Sequence, residues 1–381
     1  MVRDNKDEIL NLMEVMRDWY PGKFVSEVEH KLSSIYGGYT VSVNSGTSAL
    51  LTALAGVGVR PGDNVITPAS TFAAPAFAVQ QLGAAPSFAD IDYNTWNVSV
   101  DTIEPLITSD TTAIIVVHLY GLPADMPSIM EMADYYELKV IEDCAEAFMA
   151  SIDGSYVGTF GDAAIFSFEK SKHITCGSGG AVTFQRGDHA RRGRKYSILG
   201  YSNLTAYGHK GTKDDVQHPD FNRHYTMGYN FRLPELCAAV LSAQLDKAEE
   251  LVDMRRTAGE IFREVTDRHP RIVRQQIPRG FDHTYWTYAF GLPHSGTGRS
   301  TQVTMYELFR EEFIKNGGDK FFAGWKVVPD EPHFSKAGYG VWDIPIKALS
   351  LQPRLVCLNT GVEKKYAEEQ AEILDSILER F

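Results

Sequence analysis

Between about Val41 and Phe184 the chain switches repeatedly between short apolar runs and helical patterns, and this alternation constrains its fold more than any other feature. The runs NVITPAS, AIIVVHLY, KVIEDCA, AAIFSF and GAVTF show little polar alternation; an alanine-rich stretch and MPSIMEMADYYEL separate them. A strand with one wet face alternates apolar and polar residues, whereas a run apolar throughout is buried on both faces, as in a parallel sheet between helices. The fold class is therefore α/β, a mostly parallel sheet covered on both sides. Ligands of such sheets bind beyond the carboxyl ends of the strands. Thr71 and Phe72 follow VITPAS, Asp143 follows KVIE and Lys172 follows AAIFSF, so these residues are candidates for chemistry.

The rest of the chain does not continue the alternation. Residues 185–230 are rich in Gly, Tyr, His and Asp with little periodicity and read as a long excursion from the sheet. LPELCAAVLSAQLDKAEELVDMRRTAGEIFREV then gives one long amphipathic helical pattern leading into a smaller C-terminal domain with a strand-like TYWTYAFGL and a final helix, VEKKYAEEQAEILDSILERF. The expected division is residues 1–245 as the large domain and 246–381 as the small one, with the N-terminal helix free to pack on the latter.

Charge and cysteine content exclude several classes of function. The 37 Lys and Arg against 49 Asp and Glu leave a formal charge of -12, which repels phosphate backbones and anionic membranes. Neither nucleic acid nor membrane is expected as a partner, although a phosphorylated small ligand held by a local site remains compatible. Cys144, Cys176, Cys237 and Cys357 lie far apart with no metal or redox spacing, which suits reduced thiols. The charged N-terminus lacks a signal-peptide pattern and no apolar run approaches ~20 residues. The expected location is the cytoplasm, which makes the Asn-x-Ser/Thr matches at Asn97 and Asn203 chance occurrences.

Three motifs carry chemistry. SVNSGTSALLTAL ends a strand, turns through Ser45, Gly46 and Thr47 and enters a helix, so its amides can cradle an anion; a capped helix after a turn reads the same way. No GKS/T and no GxGxxG stands at this turn, so neither a triphosphate loop nor a dinucleotide fingerprint is supported. VIEDCAEAF puts Asp143 at the end of an apolar strand, where a carboxylate needs a buried cation or caps the following helix. In AAIFSFEKSKHITCGSGG, Ser167 ends the run and Lys172 follows five residues later, before a glycine cluster that admits close backbone approach. A lysine taken at random faces solvent, and Lys170 reads that way. Lys172 differs by its company: a phosphate cradle, a strand-end Asp and the aromatic Phe72 at one edge of the sheet. Pyridoxal phosphate needs that set, namely an amine for a Schiff base, a carboxylate at the pyridine nitrogen, an anion anchor and an aromatic face.

Eight motifs in order, GKFVSEVEHKL, SVNSGTSALLTAL, TPASTFAAPAFAV, SFADID, VVHLYGLPADM, VIEDCAEAF, IFSFEKSKHITCGSGGAV and GYNFRLPELCAAVLSAQL, resemble the DegT/StrS family of sugar aminotransferases, a branch of the fold-type I pyridoxal phosphate enzymes. The resemblance runs over nearly the whole chain. It implies the fold-type I architecture with a smaller α+β C-terminal domain. It also implies that Lys172 forms the Schiff base, that Asp143 pairs with the pyridinium nitrogen, that Gly46, Thr47 and Ser167 hold the phosphate and that Phe72 stacks on the ring. Asn230 would reach a phosphate in the partner subunit, so the active site would be shared across a homodimer. The implied reaction converts a keto-sugar, nucleotide-linked, to an amino sugar for polysaccharide or glycosylated natural products, with L-glutamate as donor and the cofactor passing through its pyridoxamine form. The alternatives are a keto-sugar dehydratase, or a cyclitol ketone or sugar phosphate as acceptor.

Three positions depart from the family pattern: Glu146 where Gln is common near the ring hydroxyl, Ser178 where GEGG has Glu, and His173 where Asn is common. Relatives that replace the lysine by histidine act as dehydratases; here the lysine stands in register, which favours transamination. His209, His218 and His224 fit no common zinc spacing, so no metal is expected. His283, Tyr285 and Trp286 read as a half-buried strand of the small domain, within a region the family uses near its substrate.

Overall fold

A computed structural model describes residues 5–18, 22–201, 204–205, 208–209, 217–293, 304–338 and 344–381. The sequon at Asn203, the side chain of His209, and parts of the 185–230 excursion and of the C-terminal segment VVPDEPHFSKAGYGVWDIP lie outside the described residues.

The apolar runs form a seven-stranded sheet. Its strands are Tyr39–Val43 (β1), Asn64–Pro68 (β2), Ala85–Ala89 (β3), Thr111–Val117 (β4), Lys139–Asp143 (β5), Ala163–Ser167 (β6) and Gly180–Phe184 (β7). They run in the order β1-β7-β6-β5-β4-β2-β3. The pairs β6–β5, β5–β4, β4–β2 and β2–β3 are parallel, while β7 runs antiparallel between β1 and β6. The sheet is thus mixed but mostly parallel, as expected.

Successive residues of a strand point to opposite faces. Ile114 and Val116 of β4 enter a core with α1 (Lys6–Asp18), α2 (Lys23–Tyr36), α5 (Met126–Tyr135) and α7 (Glu235–Asp246). Ala113, Ile115 and Val117 enter the opposite core with α3 (Gly46–Val57), α4 (Ala74–Gln81) and α6 (Gly187–Ser197). Burial on both faces is why the runs lack polar alternation.

The long helical pattern after residue 233 resolves into two helices, α7 and α8 (Ala248–Asp267), broken at Lys247 with φ -107° and ψ 11°. The reason lies in their surroundings. Most of α7 from Ala238 to Leu245 is buried, with α1 alongside: Asn11 Nδ2 donates to the Ala239 carbonyl at 3.0 Å and Lys247 Nζ pairs with Glu8 at 3.1 Å. In contrast, α8 buries only one stripe, Leu251, Val252, Arg255, Ala258, Gly259 and Phe262.

A second, antiparallel sheet comprises Val273–Arg274 (β8), Thr287–Gly291 (β9), Phe322–Ala323 (β10) and Leu355–Asn359 (β11), ordered β8-β9-β11-β10. One face packs on α8, α9 (Met305–Lys315) and α10 (Lys364–Leu378) through Phe262, Phe290, Phe309, Phe313 and Leu374. From the other face, Ala289, Leu355 and Cys357 share a core with Phe88 of β3 and with Trp96 and Tyr120, which follow β3 and β4. This joint core sets the second sheet over the carboxyl ends of β2, β3 and β4.

Candidate active site

Each side chain at the site sits where a strand ends. At the end of β1, Ser45 caps α3: its hydroxyl accepts the Ser48 amide at 3.1 Å, and the Ser48 hydroxyl donates to Asn44 Oδ1 at 2.6 Å. Gly46 and Thr47 form the first turn of that helix, whose free amides and dipole favour an anion. Gly46 faces Ser167 so closely that a Cβ on it would lie 2.9 Å from Ser167 Cβ and 3.1 Å from Ser167 Oγ, so glycine is required for the helix start and the end of β6 to meet. The Ser178 hydroxyl donates to the Asn44 carbonyl at 3.0 Å and ties the glycine cluster to the same turn.

Asp143 ends β5 with 6% of its surface exposed. Its Oδ1 accepts the Ala145 amide at 3.0 Å, the one hydrogen bond of its side chain among the described residues. Burial raises its carboxyl above the usual range, while that amide and the charge of Lys172 pull the other way. Asp143 is thus a buried carboxylate at a strand end, bonded to the amide two residues on, with the Lys172 charge favouring its ionised form.

Lys172 lies in the loop after β6, its side chain 15% exposed. Its ammonium is 3.4 Å from Glu146 Oε1 and sits 4.1 Å from the centroid of the Trp286 ring. Glu146 Oε2 accepts the Tyr120 amide at 3.0 Å. Burial pushes the Glu146 carboxyl up to about 7, against the pull of Lys172. Lys170 faces solvent. His173 is 1% exposed, its Nε2 on the Thr284 carbonyl at 3.0 Å, and burial followed by Arg255 holds it well below the imidazole range. It is a neutral packing residue turned away from the lysine amine's partners.

The raised Glu146 carboxyl has a measurable consequence. The folded chain holds a proton there up to about pH 7, while the unfolded chain loses it in the ordinary carboxylate range. The resulting stability is fully present below that range and disappears as pH rises through about 7, a loss on the order of 3 kcal/mol in the cofactor-free protein. Glu146→Gln escapes the loss. Its melting temperature relative to wild type is therefore expected to climb between about pH 5 and about pH 8; parallel melting curves would contradict this assignment.

Phe72 follows β2 and is 59% exposed, its ring 6.1 Å from that of Trp325. Trp325 stacks on Tyr120 at 5.8 Å and on Trp286 at 5.5 Å, so an aromatic wall runs from Phe72 to the lysine. Trp286 does not belong to a strand: β9 begins at Thr287, and Tyr285 before it has φ +45°. Asn230 is exposed and its side chain meets none of the other site residues among those described, but Phe231 beside it accepts the Asn44 amide at 2.8 Å, next to the Ser45 turn.

Sequence reasoning missed Tyr120, Trp325, Arg255 and the pair His118–Glu142. For the last pair a signal existed, a glutamate inside the apolar run KVIED. Glu142 is fully buried and receives Gly158 and His118 on Oε2, at 2.7 and 3.2 Å, and Phe160 and Gly161 on Oε1, at 2.8 and 2.7 Å. His118 Nδ1 accepts the Ala124 amide at 3.0 Å, which leaves the proton on Nε2 to donate to Glu142. His118, Glu142 and Cys144 present atoms within 4.8 Å of one another, yet the imidazole and carboxylate are committed to these bonds, and the cluster reads as a brace for the ends of β4 and β5.

The residues present fit pyridoxal phosphate: an amine, a buried carboxylate with an unshared oxygen, an anion cradle that a Cβ would fill, and an exposed aromatic face. The model of the DegT/DnrJ/EryC1/StrS aminotransferase family matches residues 2–368. The chain is 37% identical over 266 residues to a GDP-perosamine synthase of Escherichia coli O157:H7, covering 70% of this chain and 68% of that one. It is 39% identical over 256 residues to a UDP-N-acetyl-3-dehydro-alpha-D-glucosamine 3-aminotransferase of Acidithiobacillus ferrooxidans, covering 66% and 64%. Among solved structures, S. venezuelae DesV in complex with a ketimine intermediate superposes with a TM-score of 0.85 at 26% identity, covering 99% of this chain and 95% of that one.

Proposed function

Since this chain belongs to the DegT/DnrJ/EryC1/StrS aminotransferase family, we propose that its site binds pyridoxal phosphate and moves an amino group from L-glutamate to a nucleotide-linked keto-sugar. The chain is a keto-sugar aminotransferase in class; the cofactor's contacts, the donor, the nucleotide and the shared dimer site are the proposal. The observation that carries it is the Lys172 amine, held at 3.4 Å from Glu146 with Asp143 at the end of the adjacent strand system.

The cofactor, when bound, supplies an electron sink for the carbon that loses its proton. The chain does the rest. The first turn of α3 at Gly46 and Thr47, with the Ser167 hydroxyl, binds the phosphate. Asp143 holds a proton at the pyridine nitrogen, a task suited to a carboxylate whose second oxygen has no partner among the described residues. Phe72 covers the ring. Lys172 Nζ takes the proton from the amine-bearing carbon of glutamate and returns one in the sugar half of the cycle, with Glu146 as its hydrogen-bonding neighbour. The joint core of the two domains keeps water from the floor of the site. Elimination to a deoxysugar is disfavoured because the lysine that recaptures the cofactor is in place.

A homodimer with Asn230 reaching the partner's phosphate is supported by exposed apolar residues. Tyr225, Met227 and Tyr229 are 59, 78 and 44% exposed just before Asn230, and α1 exposes Ile9, Leu10, Met13 and Met16 at 53–62%. Large apolar side chains exposed in groups of this kind mark an interface. Among the described residues no helix is long and apolar enough to cross a membrane, and we place the enzyme in the cytoplasm, where nucleotide-linked sugars are made.

The test is the visible spectrum of the protein with pyridoxal phosphate before and after L-glutamate. The lysine-bound band is expected to convert to the amine form with release of 2-oxoglutarate, and a screen of keto-sugars, cyclitol ketones and sugar phosphates then reads which acceptor restores it. Absence of the band in wild type removes Lys172 from its role.

A further inference from the structure

Arg255 lies in the middle of α8 and is 5% exposed. Its guanidinium is nevertheless aimed at the lysine loop. Nη2 donates to the main-chain carbonyls of Ser171 at 3.0 Å and Lys172 at 3.1 Å. Nη1 donates to the Trp286 carbonyl at 2.8 Å and to Thr360 Oγ1 at 3.3 Å. The Trp286 indole Nε1 donates to the same Ser171 carbonyl at 2.9 Å, while its ring lies under the Lys172 ammonium. Gly361 closes the arrangement from behind: a Cβ there would stand 3.1 to 3.3 Å from three guanidinium atoms.

We propose that Arg255 and Trp286 form a clamp that fixes Lys172 at both its main chain and its amine, and that this clamp sets the rate of the lysine's chemistry. The inference rests on the assignment of Lys172 above. A lysine has four rotatable side-chain bonds and its loop carries no regular structure, so the place of the amine depends on contacts from elsewhere in the chain, Glu146 and Trp286 at the amine and Arg255 at the main chain. The clamp supplies that constraint from the small domain. A planar fork with several donors can grip two consecutive carbonyls at once, which a lysine at position 255 could not. Thr360 orients the fork from the far side, since its hydroxyl is bonded to the Tyr285 and Trp286 carbonyls. Both residues are positioning residues: Arg255 bonds to the main chain of the lysine loop and to Thr360, and Trp286 acts through the lysine.

Misplacing a reacting group by about 1 Å costs on the order of 10²-fold in rate. Arg255→Gln is therefore expected to slow two processes by about 10²-fold: the appearance of the lysine-bound band when pyridoxal phosphate is mixed with cofactor-free protein, and kcat, with KM for glutamate within about threefold of wild type. Arg255→Lys should recover part of that loss. Trp286→Phe keeps an aromatic ring under the lysine but removes the indole donor and part of the ring area, so it should fold normally and slow both processes by about tenfold. This second variant carries the test if Arg255→Gln does not fold. Wild-type rates of band formation and wild-type kcat in a folded Arg255→Gln or in Trp286→Phe would overturn the clamp, as would a loss confined to melting temperature or KM. A wild-type protein that shows no lysine-bound band overturns the assignment of Lys172 itself, and the clamp with it; the two failures are thus told apart by the wild-type spectrum.

Discussion

Lys172→Ala is expected to lose transamination by about 10⁴-fold or more while the protein remains folded. The loss follows from the geometry: among the described residues the amine is the one basic side chain that meets both Glu146 and the Trp286 ring, and an alanine there removes the group that moves a proton to and from the amine-bearing carbon. The retention of fold follows from the electrostatics. Removing the ammonium takes away the attraction that lowers the Glu146 carboxyl, so Glu146 shifts further up from about 7 and stays protonated near neutral pH. No stranded charge results, and the melting temperature should change little. Steady-state rates with L-glutamate and a keto-sugar, beside a thermal melt, check both halves. A variant that keeps activity within tenfold of wild type would mean that another base does the work.

Asp143→Asn is the second large effect, and it should separate activity from stability. Asparagine has the same shape and its amide oxygen can still accept the Ala145 amide, but it cannot carry the negative charge that keeps a proton on the pyridine nitrogen. The expected fall in kcat is on the order of 10³-fold, the scale of losing one charged stabiliser in a closed site, with KM within a few-fold. Stability should move the other way. Burial raises the Asp143 carboxyl, so ionising it costs the folded protein free energy above the ordinary carboxylate range, and the cofactor-free asparagine variant should melt at least as high as wild type near pH 8. An asparagine variant that is less stable and fully active would show that the carboxylate serves the fold instead of the chemistry.

These groups were legible in the sequence for a physical reason. Asp143, Ser167 and Lys172 each follow an apolar run, and a doubly covered sheet delivers strand ends to one edge whatever the rest of the chain does. The eight motifs in order, and the family match across residues 2–368, rest on the same local patterns. Other features were not legible. Trp325 sits in a stretch without periodicity, and Tyr120 gains its place from a turn with φ +61° that no motif announces. Trp286 read as part of a strand because it lies in the strand-like stretch TYWTYAFGL, yet the strand begins one residue later and leaves the indole free to face the lysine loop. The single helical pattern after residue 233 hid a break at Lys247 because periodicity survives a change in what surrounds a helix.

By itself, then, the sequence determined the doubly buried sheet and the inventory of groups at its carboxyl edge, because both follow from patterns spanning a few residues. Only the tertiary structure decided what surrounds the lysine. Arg255 lies 83 residues from Lys172 in the chain, and it reaches the loop because Ala289, Leu355 and Cys357 of the second sheet bury themselves against Phe88, Trp96 and Tyr120 of the first. That contact is driven by apolar burial, which has no direction and leaves no motif, and it is what converts a lysine after a strand into one held at both ends.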